Sequence, residues 1–271
     1  MHIFSNTTAP SKSFAEHKEY LHEIVKLQLW FLWHWKQKHQ DQSISSILRN
    51  RVDIYRKTNI NEGTLNPELV DFEDLRWVEL EQKTVELYDK YLSLPSLFER
   101  QAFSVFKPEI DARAERDFDE VPYVFYFKCG SLTFDPPKPE RPNSVFFHVA
   151  NAISPRSFLE EKKYILDCFM CLLNKSASEY NVERIETTTW LNSYPKWLHY
   201  FPEEWNNNMS EPDDDVMWHY GFWGQFITKR GLFDARLGKR LRETGAFPFL
   251  PCHSACSIAS MKEHVFKCAA S

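Results

Sequence analysis

Glycine is scarce in this chain, with only seven among 271 residues. Loops that cradle phosphate groups need several glycines close together, and neither the Walker pattern nor the Rossmann Gly-x-Gly-x-x-Gly pattern is present. The Gly-x-Ser-x-Gly elbow of serine hydrolases and the His-Glu-x-x-His helix of zinc peptidases are also absent. The sequence therefore argues against ATP hydrolysis, NAD chemistry on a Rossmann fold and zinc proteolysis.

Positive charge and long apolar runs are lacking as well. The net charge is −5 and no basic stripe is visible, whereas nucleic-acid binding depends on Lys and Arg residues that neutralise phosphates. The most apolar short window, residues 27–33, is far shorter than the roughly 20 residues of a membrane-spanning helix. No signal-peptide pattern accompanies it. We expect a cytoplasmic protein with a small-molecule substrate, no nucleic-acid partner and no membrane span.

What the chain does have is apolar and aromatic residues, 43% and 15% of the total, which is enough to bury a large core. Ser13 and Glu16 form a capping box in front of apolar residues at helical spacing, so a long helix should run to about His39. A second helix is predicted to begin near Asp71, and Pro95 should either end it or open a third, short helix. The N-terminal part of the chain is therefore predicted to be helical.

The charged run at residues 109–120 is the best candidate for a linker. Beyond it the periodicity becomes extended, with predicted strands at residues 121–127 and 131–134, followed by a proline-rich loop. The sequence therefore predicts a helical region at residues 1–115 and a mixed α/β region, carrying the site, at residues 116–271.

The middle of the chain reads as strand, helix, strand. An apolar strand at residues 145–149 precedes a helix that Ser154 would cap and Pro155 would open; this helix should end before Asn181, and a second strand should follow from Arg184. A βαβ unit has parallel strands and opens a ligand crevice beyond their carboxyl ends. The fold class is thus α+β (or α/β), with a helical region packed on a mixed sheet.

The predicted start of this helix suits an anionic ligand group. Unpaired N–H groups at a helix N-terminus attract carboxylate or phosphate, and Ser154, Arg156 and Ser157 add side-chain donors there. The alternative is that Ser154 is only a cap and Arg156 only a surface charge.

Two aromatic segments are candidates for pocket walls. After the second strand come Trp190, Asn192 and Tyr194, in a stretch too aromatic to be filled with solvent. Residues 216–227 alternate as a strand would, and contain two glycines where a ligand or another backbone can approach closely.

This second segment would place His219, Trp223 and Gln225 on one face. We predict His219 or His148 as a general base, with Asn192 and Gln225 orienting a carbonyl group. The alternative for each histidine is a hydrogen-bonded core residue.

The C-terminal end offers a candidate metal site. A helix at residues 233–244 should stop at Gly245. Beyond it, four residues have a spacing compatible with structural zinc held by a loop and a helix: Cys252, Cys256, His264 and Cys268. The alternative is that these cysteines are small apolar packing residues.

Several short stretches of the C-terminal half resemble GNAT-like acyltransferase domains that carry a helical region in front. The resemblance covers about the last 150 residues and follows residues 129–135, 147–149, 189–193, 198–202 and 250–254, in that order. It implies acyl-CoA as a co-substrate, an amine or hydroxyl acceptor and a splayed mixed sheet. The chain departs from the family in one respect: the basic, glycine-containing loop that grips the pyrophosphate of coenzyme A is not recognisable.

These observations favour a small-molecule enzyme that performs acyl or related group transfer in an aromatic-lined pocket with a histidine base. Two alternatives stay open at this stage. One is a non-catalytic interaction or scaffold protein whose aromatics form a core and a partner surface. The other is a metal-dependent enzyme that uses the C-terminal histidines directly.

Overall fold

The computed structural model describes residues 12–61, 70–119 and 127–270. It confirms an α+β protein, with helices in the N-terminal part and a four-stranded mixed sheet in the C-terminal part. The described residues divide into two compact units. The helical unit contains residues 12–119 as far as they are described, together with 215–248. The sheet unit contains residues 127–214 and 249–270.

The helical unit begins with the predicted long helix, α1, at Phe14–Lys38. Ser13 Oγ accepts a hydrogen bond from the Glu16 backbone N–H, and the Glu16 carboxylate accepts one from the Ser13 backbone N–H, which confirms the capping box. The other helices of the N-terminal part are α2 (Ile44–Asn50), a 3-10 helix (Tyr55–Lys57), α3 (Leu75–Lys90) and α4 (Pro95–Asp119).

The predicted linker at residues 109–120 is wrong, because this charged run continues α4 as far as Asp119. Phe106, Ile110 and Ala114 are all fully buried, and their spacing of four residues gives the helix an apolar stripe under its charged surface. Arg113 and Asp117 also pair at i, i+4, with Nε 2.6 Å from Oδ1. The many charged residues of this run suggested a linker, although the segment is a helix with a narrow buried face.

The predicted strand at residues 216–227 is also wrong. The chain forms a short helix, α8 (Tyr220–Trp223), and a 3-10 turn (Gly224–Phe226) instead. Phe222, Trp223 and Phe226 are buried, a spacing that suits a helix, and Trp223 packs edge-on against Phe31 of α1 with ring centroids 5.2 Å apart. Adjacent residues such as Phe222 and Trp223 are both buried, whereas the predicted strand would have buried only every second residue.

Helix α9 (Ala235–Thr244) ends at Gly245, as predicted. Gly245 has a φ of 66°, in the left-handed region that glycine enters without a Cβ penalty. A Cβ at this position would lie 2.5 Å from His34 Nε2, so close packing against α1 requires glycine as well.

The sheet unit contains four strands in the order β1-β2-β3-β4: β1 (Leu132–Phe134), β2 (Ser144–Val149), β3 (Arg184–Thr189) and β4 (Cys252–Ser257). Strands β2 and β3 are parallel, which confirms the predicted βαβ unit, whereas β1 and β4 pair antiparallel at the two edges. β4 was not predicted, because the segment that forms it was interpreted as a loop. The predicted strand at residues 121–127 falls almost entirely outside the described residues.

The helix that joins β2 to β3 is α5 (Lys162–Tyr180). It ends at Asn181, whose φ of 52° places it in the left-handed region, as predicted. The predicted start is wrong, because residues 151–160 form turns and α5 begins only at Lys162.

The core of the sheet unit lies on one face of the sheet. Side chains of β2, β3 and β4, including Val145, Phe147, Ile185 and Cys256, pack against residues of α5 such as Phe169. The remaining helices of this unit are α6 (Pro195–Leu198), α7 (Glu203–Asn207) and α10 (Ile258–Ala270). No helix within the described ranges combines the length and apolar character that crossing a membrane requires.

Candidate functional site

Asn192 is a buried structural link in the sheet unit. It is 1% exposed, its Nδ2 donates to the Cys252 backbone oxygen at 2.8 Å, and its Oδ1 accepts from Trp197 Nε1 at 3.1 Å. These bonds tie the 3-10 helix at Trp190–Ser193 to β4 and α6. Because both the nitrogen and the oxygen of the Asn192 amide are hydrogen-bonded within the protein, the geometry favours a structural role for Asn192 over orientation of a substrate carbonyl.

Trp190 and Tyr194 form an aromatic group with Phe249. The Phe249 ring centroid lies 5.6 Å from that of Trp190 and 5.5 Å from that of Tyr194. The pair predicted to line a pocket is thus packed against a third ring of the same unit.

The predicted anion site at Ser154, Arg156 and Ser157 loses its structural basis, since no helix begins there. Arg156 is exposed and pairs with Glu161, Nη1 to Oε1 at 3.2 Å. The donors of the α5 N-terminus lie further along the chain, around Lys162.

His148 lies on β2 and forms a half-exposed pair with a carboxylate. Its Nε2 is 2.8 Å from Asp135 Oδ2, and the hydrogen bond from His148 holds the pKa of Asp135 below its ordinary value. On the same face of the sheet, Glu186 of β3 accepts from Arg141 Nη1 at 2.9 Å and lies 3.5 Å from His253 Nε2. This face is polar, but its histidines are open to solvent.

The other predicted residues lie in the helical unit. His219 caps α8, its Nδ1 accepting from the Gly221 backbone N–H at 3.2 Å. Trp223 donates from Nε1 to the Arg51 backbone oxygen at 2.9 Å. Gln225 is 1% exposed and donates to the Phe222 backbone oxygen at 2.8 Å. Since the segment is not a strand, these three side chains do not share the predicted face.

The candidate zinc ligands are not gathered into one cluster. Cys252 and Cys256 lie on β4 and are buried, while His264 and Cys268 face each other on α10, with Sγ 3.3 Å from Nε2. Within the described ranges, no group of three or more His, Cys, Asp or Glu side chains has the geometry to hold a metal ion.

A pocket of about 300 Å³ lies beside Cys268, lined also by Lys162, Lys196, His199, Tyr200 and Leu159.

A group of buried and partly buried ionisable side chains was not anticipated from the sequence. It lies in the helical unit, and we call it the charged cluster: Lys12, His17, Tyr20, Asp53, Arg56, Lys57 and Asp117. Its members come from α1 and the residue before its cap, from the segment around the 3-10 helix Tyr55–Lys57, and from the end of α4.

Asp53 is the centre of one half of the charged cluster. It is 1% exposed, and its two carboxylate oxygens bind different cations: Oδ1 accepts from Arg56 Nε at 2.5 Å and Oδ2 lies 3.2 Å from Lys57 Nζ. Arg56 and Lys57 are themselves 5% and 7% exposed. Burial is the largest single influence and lowers the pKa of each cation, but the charge of Asp53, together with the smaller contributions of Tyr220 and Tyr20, raises both pKa values above their ordinary range.

Two aromatic rings lie against the Arg56 guanidinium. Its carbon lies 4.4 Å from the Trp218 ring centroid and 4.2 Å from that of Tyr220. Cation–π contacts at these distances are favourable and help to hold the guanidinium in position. Its buried Nη2 has no hydrogen-bond partner among the described residues.

The other half of the charged cluster contains a histidine–carboxylate pair. His17 Nε2 lies 3.0 Å from Asp117 Oδ2, while its buried Nδ1 has no hydrogen-bond partner within the described part of the chain. Burial, reinforced by the charges of Lys12 and Lys57, lowers the pKa of His17 below its ordinary 6.5, although Asp117 opposes the shift. His17 is therefore neutral near pH 7.

Lys12 and Tyr20 complete the arrangement. Lys12 Nζ lies 4.8 Å from the Tyr20 ring centroid and donates to the Gly231 backbone oxygen at 2.9 Å. Burial lowers the pKa of Lys12 to about 8 and raises that of Tyr20. Perturbed ionisable groups that gather in one place are typical of functional sites.

One local signal could have pointed to this cluster. Asp53, Arg56 and Lys57 lie at i, i+3 and i+4, on either side of Ile54 and Tyr55, so opposite charges meet within a single helical turn that also carries two apolar residues. Nothing local, however, connects them to His17 or to Asp117, because those contacts are made between distant elements.

Comparisons with protein-family models, with curated proteins and with solved structures found no match. An assignment of function therefore depends on the chemistry of the site itself.

Proposed function

We propose that this protein is a small-molecule enzyme that catalyses acyl or related group transfer, with His17 of the charged cluster as its general base. The observation that carries the proposal is the buried His17–Asp117 pair, whose second ring nitrogen has no protein partner among the described residues. A histidine that is hydrogen-bonded to a carboxylate through one ring nitrogen, with the other nitrogen unpaired, is the arrangement found in many acyl-transfer enzymes.

The protonation state suits this role. When Nε2–H donates to Asp117, Nδ1 carries the free lone pair that accepts a proton. Because burial keeps the pKa of His17 low, the ring is neutral and ready to act at neutral pH. His148 and His219, the bases predicted from sequence, are a half-exposed surface residue and a helix cap; each stays a prediction, but the geometry favours His17.

The proposed step is proton abstraction from an acceptor hydroxyl or amine. His17 Nδ1 would take this proton as the acceptor attacks the acyl carbonyl carbon of the donor, and would return it to the leaving group when the bond between that carbon and the donor breaks. Lys12 and Lys57 lie close enough to act electrostatically on His17, so their charge would also stabilise the oxyanion of the tetrahedral intermediate.

The donor would be acyl-CoA and the location the cytoplasm, as expected from the sequence. Tyr20, Trp218 and Tyr220 lie against the cations of the charged cluster and would form the aromatic wall of the substrate site. Trp218 and Tyr220 belong to residues 216–227, a segment that the sequence predicts as a pocket wall.

The test is release of free coenzyme A from a panel of acyl-CoA thioesters, each offered with a set of small amines and alcohols. His17→Gln should lower kcat/KM by about 10²- to 10⁴-fold, the usual contribution of a general base. His148→Ala and His219→Ala are matched controls, since each removes a histidine from elsewhere, and both should retain activity. In the wild type, the acidic limb of the kcat/KM profile should have a midpoint below pH 6.5, the ordinary pKa of histidine.

Two results would count against the proposal. Absence of turnover across the whole panel would reject acyl transfer from coenzyme A. Turnover in His17→Gln within threefold of wild type, together with a loss in one of the two control variants, would move the base to that histidine.

A further inference from the structure

The described residues place more positive than negative charge around Asp53. Arg56 and Lys57 are both more than nine-tenths buried, and among the described residues Asp53 is the single carboxylate that pairs with them. One carboxylate thus faces two cations. Although Asp53 pairs with both cations, a buried group in which cations outnumber carboxylates has room for a further anion to balance its charge.

Lys12 adds to this excess. The charges that act on it are those of Asp117 and Glu16, which favour its ammonium form, and that of Lys57, which opposes it. Asp117 is already engaged by Arg113 and His17, and Glu16 by Arg230.

The geometry of Arg56 indicates the direction from which a counter-charge would come. The rings of Trp218 and Tyr220 both lie against the guanidinium, and its Nε donates to Asp53 Oδ1. The N–H groups of Nη2 lie in the guanidinium plane, and they are buried without a hydrogen-bond partner among the described residues. An in-plane N–H edge is the part of arginine that binds carboxylate and phosphate oxygens.

The Tyr220 side of the Arg56 guanidinium lies near solvent. Tyr220 is 48% exposed, although the guanidinium whose carbon lies 4.2 Å from its ring centroid belongs to a buried residue. A small anion that approaches from this side meets the Tyr220 ring, which also helps to hold the guanidinium in place.

From these observations we infer that Arg56 and Lys57 form a binding site for an oxyanion, the carboxylate or phosphate group of a small molecule, which enters beside Tyr220 and completes the charge balance around Asp53. This inference rests on the proposed function in one respect, since it assigns the anion to the substrate on which His17 acts. Binding of the anion can nevertheless be measured without turnover.

The experiment is titration of the full-length protein with sodium phosphate and, separately, with sodium acetate, at constant ionic strength maintained with chloride. Phosphate binding is followed by ³¹P NMR line broadening and acetate binding by saturation-transfer NMR. We expect saturable binding of at least one of the two anions, and the one that binds more tightly identifies the substrate group as phosphate or carboxylate.

Variants locate the site. Lys57→Met removes the surplus cation and leaves Arg56 paired with Asp53, and it should weaken binding at least tenfold. Lys83→Met, which removes an equal charge from an exposed position on α3, should bind as wild type does. Tyr220→Ala changes only a half-exposed ring and should also weaken binding, so it serves as the second variant if Lys57→Met does not fold by circular dichroism.

The outcomes separate this inference from the proposed function. His17→Gln should bind the anion within twofold of wild type even when it has lost turnover. The inference is overturned if neither anion binds saturably, or if the folded variants among Lys57→Met and Tyr220→Ala bind as tightly as wild type. Anion binding that depends on Lys57, in a protein that turns over no acyl-CoA, would support the site and reject the acyl-transfer proposal.

Discussion

Replacement of Asp53 by asparagine tests the central interaction of the charged cluster. The substitution preserves the shape of a side chain that is 1% exposed but removes the negative charge that faces Arg56 and Lys57. Removal of one partner from a buried ion pair costs about 3–5 kcal/mol, because it leaves the other charge buried and uncompensated. Two cations lose their partner here, so we expect a loss in the upper part of that range.

The assay is urea unfolding followed by far-UV circular dichroism. The free energy of unfolding depends on urea with a slope of about 1–3 kcal/mol per molar, so a loss of this size lowers the unfolding midpoint by more than 1 M. The loss itself is a large part of the roughly 5–15 kcal/mol by which a typical domain is stable. Glu79→Gln is the matched control. It breaks the pair between Glu79 and Lys83, which are both exposed, and exposed pairs contribute about 0–1 kcal/mol.

A double variant makes the test sharper. Lys57→Met in the Asp53→Asn background removes one of the two uncompensated cations, so the double variant should be more stable than Asp53→Asn alone. The reasoning is refuted if Asp53→Asn costs no more than Glu79→Gln, or if the double variant is less stable than the single one.

Three further predictions concern other buried polar groups. Burial lowers the pKa of Lys12 from 10.5 to about 8, so as the pH rises the folded chain loses this proton before the unfolded chain does. The free energy of unfolding should therefore rise by at most about 3 kcal/mol between pH 8 and 10. Above pH 10, Tyr20 acts in the opposite direction, because burial raises its pKa. Asn192→Ala should lower the free energy of unfolding by about 2–4 kcal/mol in urea, since it leaves the buried Trp197 Nε1 and a β4 backbone oxygen without a hydrogen-bond partner. Gln28→Met should raise the free energy of unfolding by about 1–3 kcal/mol in the same assay, because Gln28 is fully buried and its amide atoms have no hydrogen-bond partner among the described residues.

Each of these predictions has its own control. Lys12→Met should abolish the rise above pH 8, and a rise that persists in this variant assigns it to another group. Asn208→Ala removes an exposed amide that also bonds to a β4 backbone oxygen and should cost less than 1 kcal/mol; an equal loss in both variants contradicts the role of burial. Gln37→Met, on the same helix as Gln28, removes an amide that donates to Tyr88 Oη at 2.7 Å, so a gain in Gln37→Met comparable to that in Gln28→Met would show that missing partners are not the cause.

Elements whose ends carry their own signals could be predicted from the sequence. The capping box of Ser13 and Glu16 and the left-handed Gly245 act over one turn of helix, so local residues specify them. The parallel pair β2 and β3 followed from handedness and from the length of the helix between them. These features do not depend on what the rest of the chain packs against.

The errors arose where packing decides between local alternatives. Residues 216–227 have aromatics at spacings that fit a strand or a helix, and burial of both Phe222 and Trp223 selects the helix. Residues 109–119 were interpreted by their charge, whereas a stripe of one buried residue in four is enough to hold a helix on a core. Strand β4 is rich in cysteine and serine, which gives little β-propensity by itself, and it pairs along the whole of β3.

The charged cluster could not be predicted from short stretches of sequence, because its contacts also depend on packing between distant elements. His17 and Asp117 are one hundred residues apart in sequence, and the partners of Arg56 include Trp218. Composition and periodicity can identify an apolar face, but they carry no information about which charged residues meet inside it.

The division of the chain into units has a consequence for synthesis on the ribosome. Neither unit is encoded by one continuous stretch, because residues 215–248 return to the helices of the N-terminal part and residues 249–270 then add the outermost strand, β4, to the sheet. A nascent polypeptide that has emerged as far as residue 214 contains β2 and β3 without β4, and Arg56 without Trp218 and Tyr220. Both units therefore reach their final form only after residues 215–270 have emerged, and their exposed apolar surfaces are expected to need protection by chaperones until then.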